Sequence, residues 1–504
     1  MPRLAFCAGH TTAILCLSTY AALPQDMRMN DTDHHLYENL AASMADAIHA
    51  GALRAGDRLP SVRRLSTQHR VSIATALQAY RHLENQRLVE ARPKSGYFVL
   101  ARPPRLDEPK ASTPPTAARF VGVSQLVKEV LEAGRDSDIT PLGAACPGPE
   151  LFPNEKLLRL AHSEGRRRPH LLGAYPMSPG NDRLRAMIAR RSLDFGCRLT
   201  PQEIIVTNGC IEALNLALRA VARPGDTIAL ESPTYFTLLQ IIESLGMKAL
   251  EIPTHPRAGL SIEALDLATQ KPGAVKAVIV MPNFQNPLGG LMSDEAKARM
   301  VQLLDARGVA LIEDDIYGDI HFQEQRPRVA KAWDRSGNVL LCSSFTKTVS
   351  PGLRVGWIAP GKLFSEVAML KFINSVATPE LPQAAIAAFI ADGGYDHHLR
   401  RLRAGFARQV EQTTHAIAEF FPNGTKVTRP AGGFVLWVEL PPKVDSLELF
   451  RRALEHRISI APGPMFTTTK RYRNFMRIGC GHPWSSKIEM GLMRLGQLAE
   501  ELAG

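Results

Sequence analysis

The sequence predicts an α/β protein made of two dissimilar parts: a small helical domain closed by a two-stranded ribbon, and a large domain built around a mainly parallel sheet. Three observations predict it. Residues 34–102 are dense in Arg and His and carry three short helical patterns followed by two β-prone runs. From about residue 140 to residue 504, the β-rich runs EIIVTNG, DTIALESP, KAVIVMPN, VALIEDD and VLLCSSF alternate with amphipathic helical stretches, the texture of βα units around a parallel sheet. Between them, residues 101–119 (ARPPRLDEPKASTPPTAAR) are rich in Pro, Ala and charge, a composition that builds no core and reads as a linker.

The length of 504 residues exceeds one ordinary domain, and the apolar (45%) and charged (22%) fractions are those of a globular protein, which excludes wholesale disorder and collagen. The seven cysteines are odd in number, scattered and without a CxxC pair, so they predict reduced thiols rather than a zinc module, a dithiol redox site or a disulfide framework. Lys and Arg (60) outnumber Asp and Glu (49), a net charge of +11 that permits nucleic-acid binding without demonstrating it. Residues 11–23 are apolar after Arg3 and have the form of a short signal core, too short to cross a bilayer. Met27 and Met29 follow, and residues 1–33 are read as a disordered leader or a mis-assigned start. The expected organisation is thus a leader (1–33), a first domain (34–102), a linker (103–139) and a second domain (140–504), with no membrane span and no metal site.

In the first domain, Leu36, Leu40, Met44, Ala47 and Ile48 recur at helical spacing, and Gly51 stops that helix. Ser61 is a good N-cap for RRLSTQH, and Ser72 for IATALQAYRHLENQ, whose Leu77, Tyr80 and Leu83 form an apolar face. LVEARPKSGYFVL then reads as two strands joined at Pro-Lys-Ser-Gly. The order is that of a winged helix-turn-helix, in which the second helix of the pair enters the major groove while cations neutralise phosphates. Arg63, Arg64, Arg70, Arg81 and Lys94 are candidates for phosphate contact. This segment resembles the GntR family of bacterial regulators through LYENLAASMADAIHAGALRAGDRLPSVRRLS and the closing GYFV. The resemblance implies that Arg63 contacts double-stranded DNA, that Ser72 and Thr75 begin the recognition helix, and that Gly96 belongs to the wing. Where relatives carry Arg after the capping Ser this chain has Ile73, which touches a thymine methyl but cannot read guanine.

The second domain offers, one after another at strand-to-loop junctions, the parts a pyridoxal 5'-phosphate pocket requires. SSFTKTVSPGLRVGW supplies Lys347 for a Schiff base and Arg354, whose guanidinium suits a phosphate dianion. IEDDIYGD supplies Asp314 to face the pyridine nitrogen and Tyr317 to reach the ring oxygen. Asn286 precedes Pro287 in a turn, Asn208-Gly209-Cys210 opens a helix whose free amides form an anion site, and Tyr235 can stack on the ring. Each piece alone reads as an ordinary surface lysine, turn glycine, capping carboxylate or loop aromatic; the ordered set carries the argument. The domain resembles the fold-type I aminotransferases, which implies a smaller C-terminal α+β subdomain. It also implies that Ser344 joins Gly209, Cys210 and Arg354 at the phosphate, Cys210 through its main-chain amide. Tyr175 would reach the phosphate of a second subunit, and Arg477 would hold a substrate or effector α-carboxylate.

A GntR-like reader joined to such a domain resembles the MocR-type regulators. That resemblance implies a cytoplasmic homodimer that senses an amine, an amino acid or pyridoxal phosphate at the Lys347 aldimine and alters operator binding. The alternative is a working aminotransferase that moves an amino group to a 2-oxo acid, with Lys347 as general base and acid.

Overall fold

The computed structural model describes residues 36–86, 88–92, 95–100, 106–133 and 138–504; the expected leader and Lys94 lie outside them. The chain divides into two compact units, Met1–Arg102 and Pro103–Gly504.

The first unit is built from helices α1 (Leu36–His49), α2 (Val62–His69) and α3 (Ile73–Asn85) and strands β1 (Val89–Arg92) and β2 (Gly96–Val99). Its core takes most of the apolar faces the spacing predicts: Leu40, Met44 and Ile48 of α1 pack with Leu65 of α2 and with Ala76, Ala79, Tyr80 and Leu83 of α3, whereas Leu36 is exposed and Ala47 and Leu77 are only half-buried. Both predicted caps form, since Ser61 Oγ accepts the Arg64 N–H and Ser72 Oγ accepts the Thr75 N–H. Tyr80 ties three segments together: its hydroxyl donates to Pro60 O at 2.5 Å, and its ring stacks on Tyr97 of β2 with centroids 4.4 Å apart. The antiparallel pair β1–β2 runs in the register Val89↔Val99 to Arg92↔Gly96 and forms the wing.

The second unit contains a nine-stranded mixed sheet. In chain order its strands are β3 (Arg119–Phe120), β4 (Ile205–Thr207), β5 (Thr227–Ser232), β6 (Lys248–His255), β7 (Gly259–Leu260), β8 (Ala277–Val280), β9 (Ala310–Asp314), β10 (Val339–Ser344) and β11 (Gly356–Ala359). They lie side by side as β3-β6-β5-β8-β9-β10-β11-β4, with β7 on β6. The five central strands β6, β5, β8, β9 and β10 are parallel, and β3, β11 and β4 add antiparallel edges. The central strands are almost wholly buried, as strands covered by helices on both faces must be. A second, antiparallel sheet orders β12 (Lys426–Val427), β13 (Val435–Glu439), β15 (Phe475–Gly479) and β14 (Ala461–Pro462) as β12-β13-β15-β14 and forms the smaller C-terminal subdomain with flanking helices. Among the described residues, no helix is long and apolar enough to cross a membrane.

The segment expected as a linker is built into this unit from residue 106 to residue 133. Asp107 O accepts the Val427 N–H, Ser112 exchanges two hydrogen bonds with Thr254, and β3 pairs with β6. Helix α4 (Ser124–Ala133) follows, and Val123, Val127 and Val130 are buried in the main core. The linker reading fails here because the partners that satisfy this backbone lie more than a hundred residues away in sequence.

Candidate functional site

In the first unit, α2 and α3 present Arg63, Arg64, Ser72 and Arg81 to solvent; Gly96, on the wing, is also exposed, and Thr75 is half-buried. Ser72 and Thr75 are bound to each other: Ser72 Oγ lies 3.0 Å from Thr75 N and 2.8 Å from Thr75 Oγ1. Their first job is therefore to start α3. Ile73, 57% exposed, is the large side chain the first turn of α3 offers outward.

In the second unit, the pocket lies where the parallel strands end. Strand β10 ends at Ser344, whose Oγ accepts the Thr346 N–H and donates to Thr346 Oγ1, folding the chain into the turn that carries Lys347. Lys347 Nζ donates to Ala145 O at 2.6 Å, and Cys146 Sγ stands 3.8 Å away. Removal from water lowers the proton affinity of this amine, and the Arg477 and Arg354 guanidiniums lower it further.

Strand β4 runs into Asn208 and Gly209, and the helix Cys210–Val221 starts with no side chain capping its first amides. Arg354, in the left-handed region at φ 53°, donates from Nη2 to Asn208 O at 3.2 Å. Gly209 has φ 84°, and a Cβ there would stand 2.5 Å from Arg354 Nη2. Gly356 makes the same approach from the other side, since its Cβ would meet Gly209 C at 2.5 Å. Bare amides, a guanidinium and two glycines thus leave a cradle for an anion.

Strand β9 ends at Asp314, which is 2% exposed. Its Oδ1 accepts from Cys210 Sγ (3.3 Å) and from the Ile316 N–H (3.2 Å). Burial pushes this carboxyl up to about 7. Tyr317 is buried edge-on against Phe434, its hydroxyl 3.5 Å from Asn286 Nδ2, and burial raises it above the usual phenol range. Asn286 Oδ1 accepts from Arg477 Nη1 at 3.1 Å, and Arg477 Nη2 donates to Gly143 O at 2.7 Å. Arg477, on β15, is 2% exposed, lies over the rings of Phe236 and Phe466, and has a buried Nε with no partner among the described residues. Tyr235 is half-buried at the head of the helix Phe236–Ser244.

The structure therefore draws Asn208, Gly209, Cys210, Tyr235, Asn286, Asp314, Tyr317, Ser344, Lys347, Arg354 and Arg477 around one end of the sheet. Tyr175, 78% exposed, is not drawn into the cluster within the chain. Sequence reasoning missed Gly143, Ala145 and Cys146, whose loop carries no periodic signal. It also missed Glu231, the one charged residue of the buried strand TIALES; that isolation was the available clue.

Residues 154–494 match the model of aminotransferase class I and II, and residues 36–99 match that of bacterial regulatory proteins, gntR family. The fold and site thus define an aminotransferase-type domain preceded by a DNA-binding module. The chain belongs to the class I and II aminotransferase family, in its MocR-type branch of regulators with a GntR helix-turn-helix. It is 39% identical to the HTH-type transcriptional regulator YjiR of Escherichia coli, over 92% of this chain and 98% of that protein. To the HTH-type transcriptional regulator YdcR of the same organism it is 38% identical, over 92% and 99%. Among solved structures it is similar to LysN, the alpha-aminoadipate aminotransferase of Thermus thermophilus complexed with N-(5'-phosphopyridoxyl)-L-leucine, with TM-score 0.68, 29% identity, and 75% and 94% of the two chains covered.

Proposed function

We propose that this regulator holds pyridoxal 5'-phosphate in its larger unit and uses it to sense an amino acid or amine, with the reader unit on operator DNA. The residues fit that cofactor and its ligand: the Gly209 cradle suits a phosphate, and the buried Arg477 Nε, with no partner among the described residues, supports a place for an effector's carboxylate. Asp314 offers a buried carboxylate with no donor among the described residues on its Oδ2. Arg354, Ser344 and the amides of Gly209 and Cys210 would hold the phosphate, Asp314 the ring nitrogen, and Asn286 and Tyr317 the ring oxygen. Tyr235 would cover a ring face, and Tyr175 would come from a second copy of the chain. The group supplies an aldehyde for an amine to condense with and an electron-poor ring.

The observation that carries the sensing role is that one loop contacts both ligand-facing cations. Gly143 O takes Arg477 Nη2, and Ala145 O takes Lys347 Nζ. An effector whose carboxylate engages Arg477 competes with Gly143 O, and one whose amine takes the place of Lys347 on the cofactor would return Nζ to Ala145 O. The loop would thereby trade one hydrogen bond for another, so its equilibrium position depends on the effector. Because its target is the chromosome, the place of action is the cytoplasm.

The test is a DNA titration with the region upstream of this protein's own gene, with pyridoxal phosphate present or removed and Arg63→Ala alongside. Salt-dependent, sequence-selective binding that responds to the cofactor and is lost in Arg63→Ala is expected. No selective binding under any condition, together with sustained turnover of an amino donor and a 2-oxo acid, would establish the enzyme instead.

A further inference from the structure

We propose that the Cys210 side chain is a positioning residue for Asp314: its thiol hydrogen, with the Ile316 N–H, fixes Oδ1 and leaves Oδ2 as the oxygen presented to the cofactor. This rests on the pyridoxal phosphate reading of the pocket and goes beyond the phosphate contact expected of the Cys210 amide.

The geometry is specific. Cys210 is the first residue of its helix, so its backbone faces the anion cradle while its side chain turns under the sheet end, 3% exposed. Sγ lies 3.3 Å from Asp314 Oδ1, and the Ile316 N–H reaches the same oxygen at 3.2 Å. Rotating the carboxylate plane away from this orientation would strand both donors in a buried place, which costs more than either hydrogen bond gains. The carboxylate plane is thereby locked.

The thiol stays a donor. Its burial, with Asp314 and Cys342 alongside, holds it well above the ordinary thiol range, so it keeps its hydrogen at any pH the protein meets. Cys342 lies on β10 in register with Asp314. The other ionisable groups acting on or from Asp314 are Asp315, Lys347, Glu231, Tyr235 and Tyr317. Of the side chains around the carboxylate, only the Cys210 thiol is within hydrogen-bonding distance of it among the described residues.

The alternative role for a buried thiol is to fill the core, and two substitutions separate the roles. Alanine keeps a small apolar side chain and deletes the donor. Serine keeps a donor and puts a polar atom into the core. The experiment measures pyridoxal phosphate dissociation constants for the full-length wild type, Cys210→Ala and Cys210→Ser, and the melting temperature of each without cofactor.

Positioning predicts that Cys210→Ala weakens cofactor binding about tenfold while Cys210→Ser stays within about twofold of wild type. Core filling predicts the reverse order, with Cys210→Ser the weaker binder and the less stable protein. Binding by Cys210→Ala as tight as wild type, or by Cys210→Ser as weak as Cys210→Ala, overturns this inference alone. A wild type that binds no pyridoxal phosphate overturns the cofactor reading and this inference with it.

Discussion

Gly209 and Arg354 meet so closely that a single methyl group on Gly209 would stand 2.5 Å from Arg354 Nη2. The glycine also has φ 84°, which an L side chain adopts only with strain. Gly209→Ala should therefore push the guanidinium out of the cradle and distort the first amides of the helix. Pyridoxal phosphate affinity, read by absorbance titration, is expected to fall by about tenfold or more. Unchanged affinity would remove the phosphate from this place.

The Arg477 guanidinium acts on Lys347 as a like charge in the pocket. Burial already lowers the proton affinity of the lysine, and Arg477 adds to that against the opposing pull of Cys146. In Arg477→Met that repulsion is gone and the amine should hold its proton to higher pH. The pH midpoint for covalent attachment of pyridoxal phosphate should move upward. A downward move, or none, would mean that the two charges do not communicate. Lys347→Ala is the control and should attach no cofactor covalently at any pH.

Ser72 and Arg63 separate stability from recognition within the reader unit. The Ser72 hydroxyl is used in capping α3, so Ser72→Ala should cost about 1 kcal/mol of stability, seen by urea unfolding. Arg63 is exposed, so Arg63→Ala should leave stability alone, weaken DNA binding and lower the slope of log affinity against log salt by about 1. An Arg63→Ala protein with the wild-type salt slope would take this side chain off the phosphate backbone.

Glu231 carries a pH dependence whose sign is fixed by its burial. The carboxyl is 1% exposed, and burial pushes it up to about 8, with Asp314 adding to the push against the Met281 N–H and Gln285. The folded protein therefore favours the protonated acid more than the unfolded chain does. That advantage is complete below the unfolded value of about 4.3 and is lost as pH rises toward 8. Between pH 5 and pH 8 the cofactor-free wild type should lose stability relative to Glu231→Gln, by up to about 1.4 kcal/mol per pH unit. Parallel stability curves for the two proteins would show that Glu231 is already ionised in the fold.

The reader unit was legible almost to the residue, because its determinants are local: Ser61 and Ser72 cap within three residues, and the apolar spacing of α1 and α3 defines the core. The pocket residues were legible as types, because Lys347, Asp314, Asn286 and Arg354 each follow a strand that its own apolar run specifies. The sequence alone thus determined the two folds, the direction of the strands that carry the pocket, and the residue types that stand at their ends.

The tertiary structure alone decided what those groups face. It built residues 106–133 into the large unit through hydrogen bonds to Thr254, Val427 and Glu243, and it set the carbonyls of Gly143 and Ala145 against Arg477 and Lys347. It also aimed the Cys210 thiol at Asp314. These pairs are separated by more than a hundred residues, and their geometry depends on how strands stack and where loops cross. No local propensity encodes that, because burial and the directed hydrogen bond arise only once the chain has closed on itself.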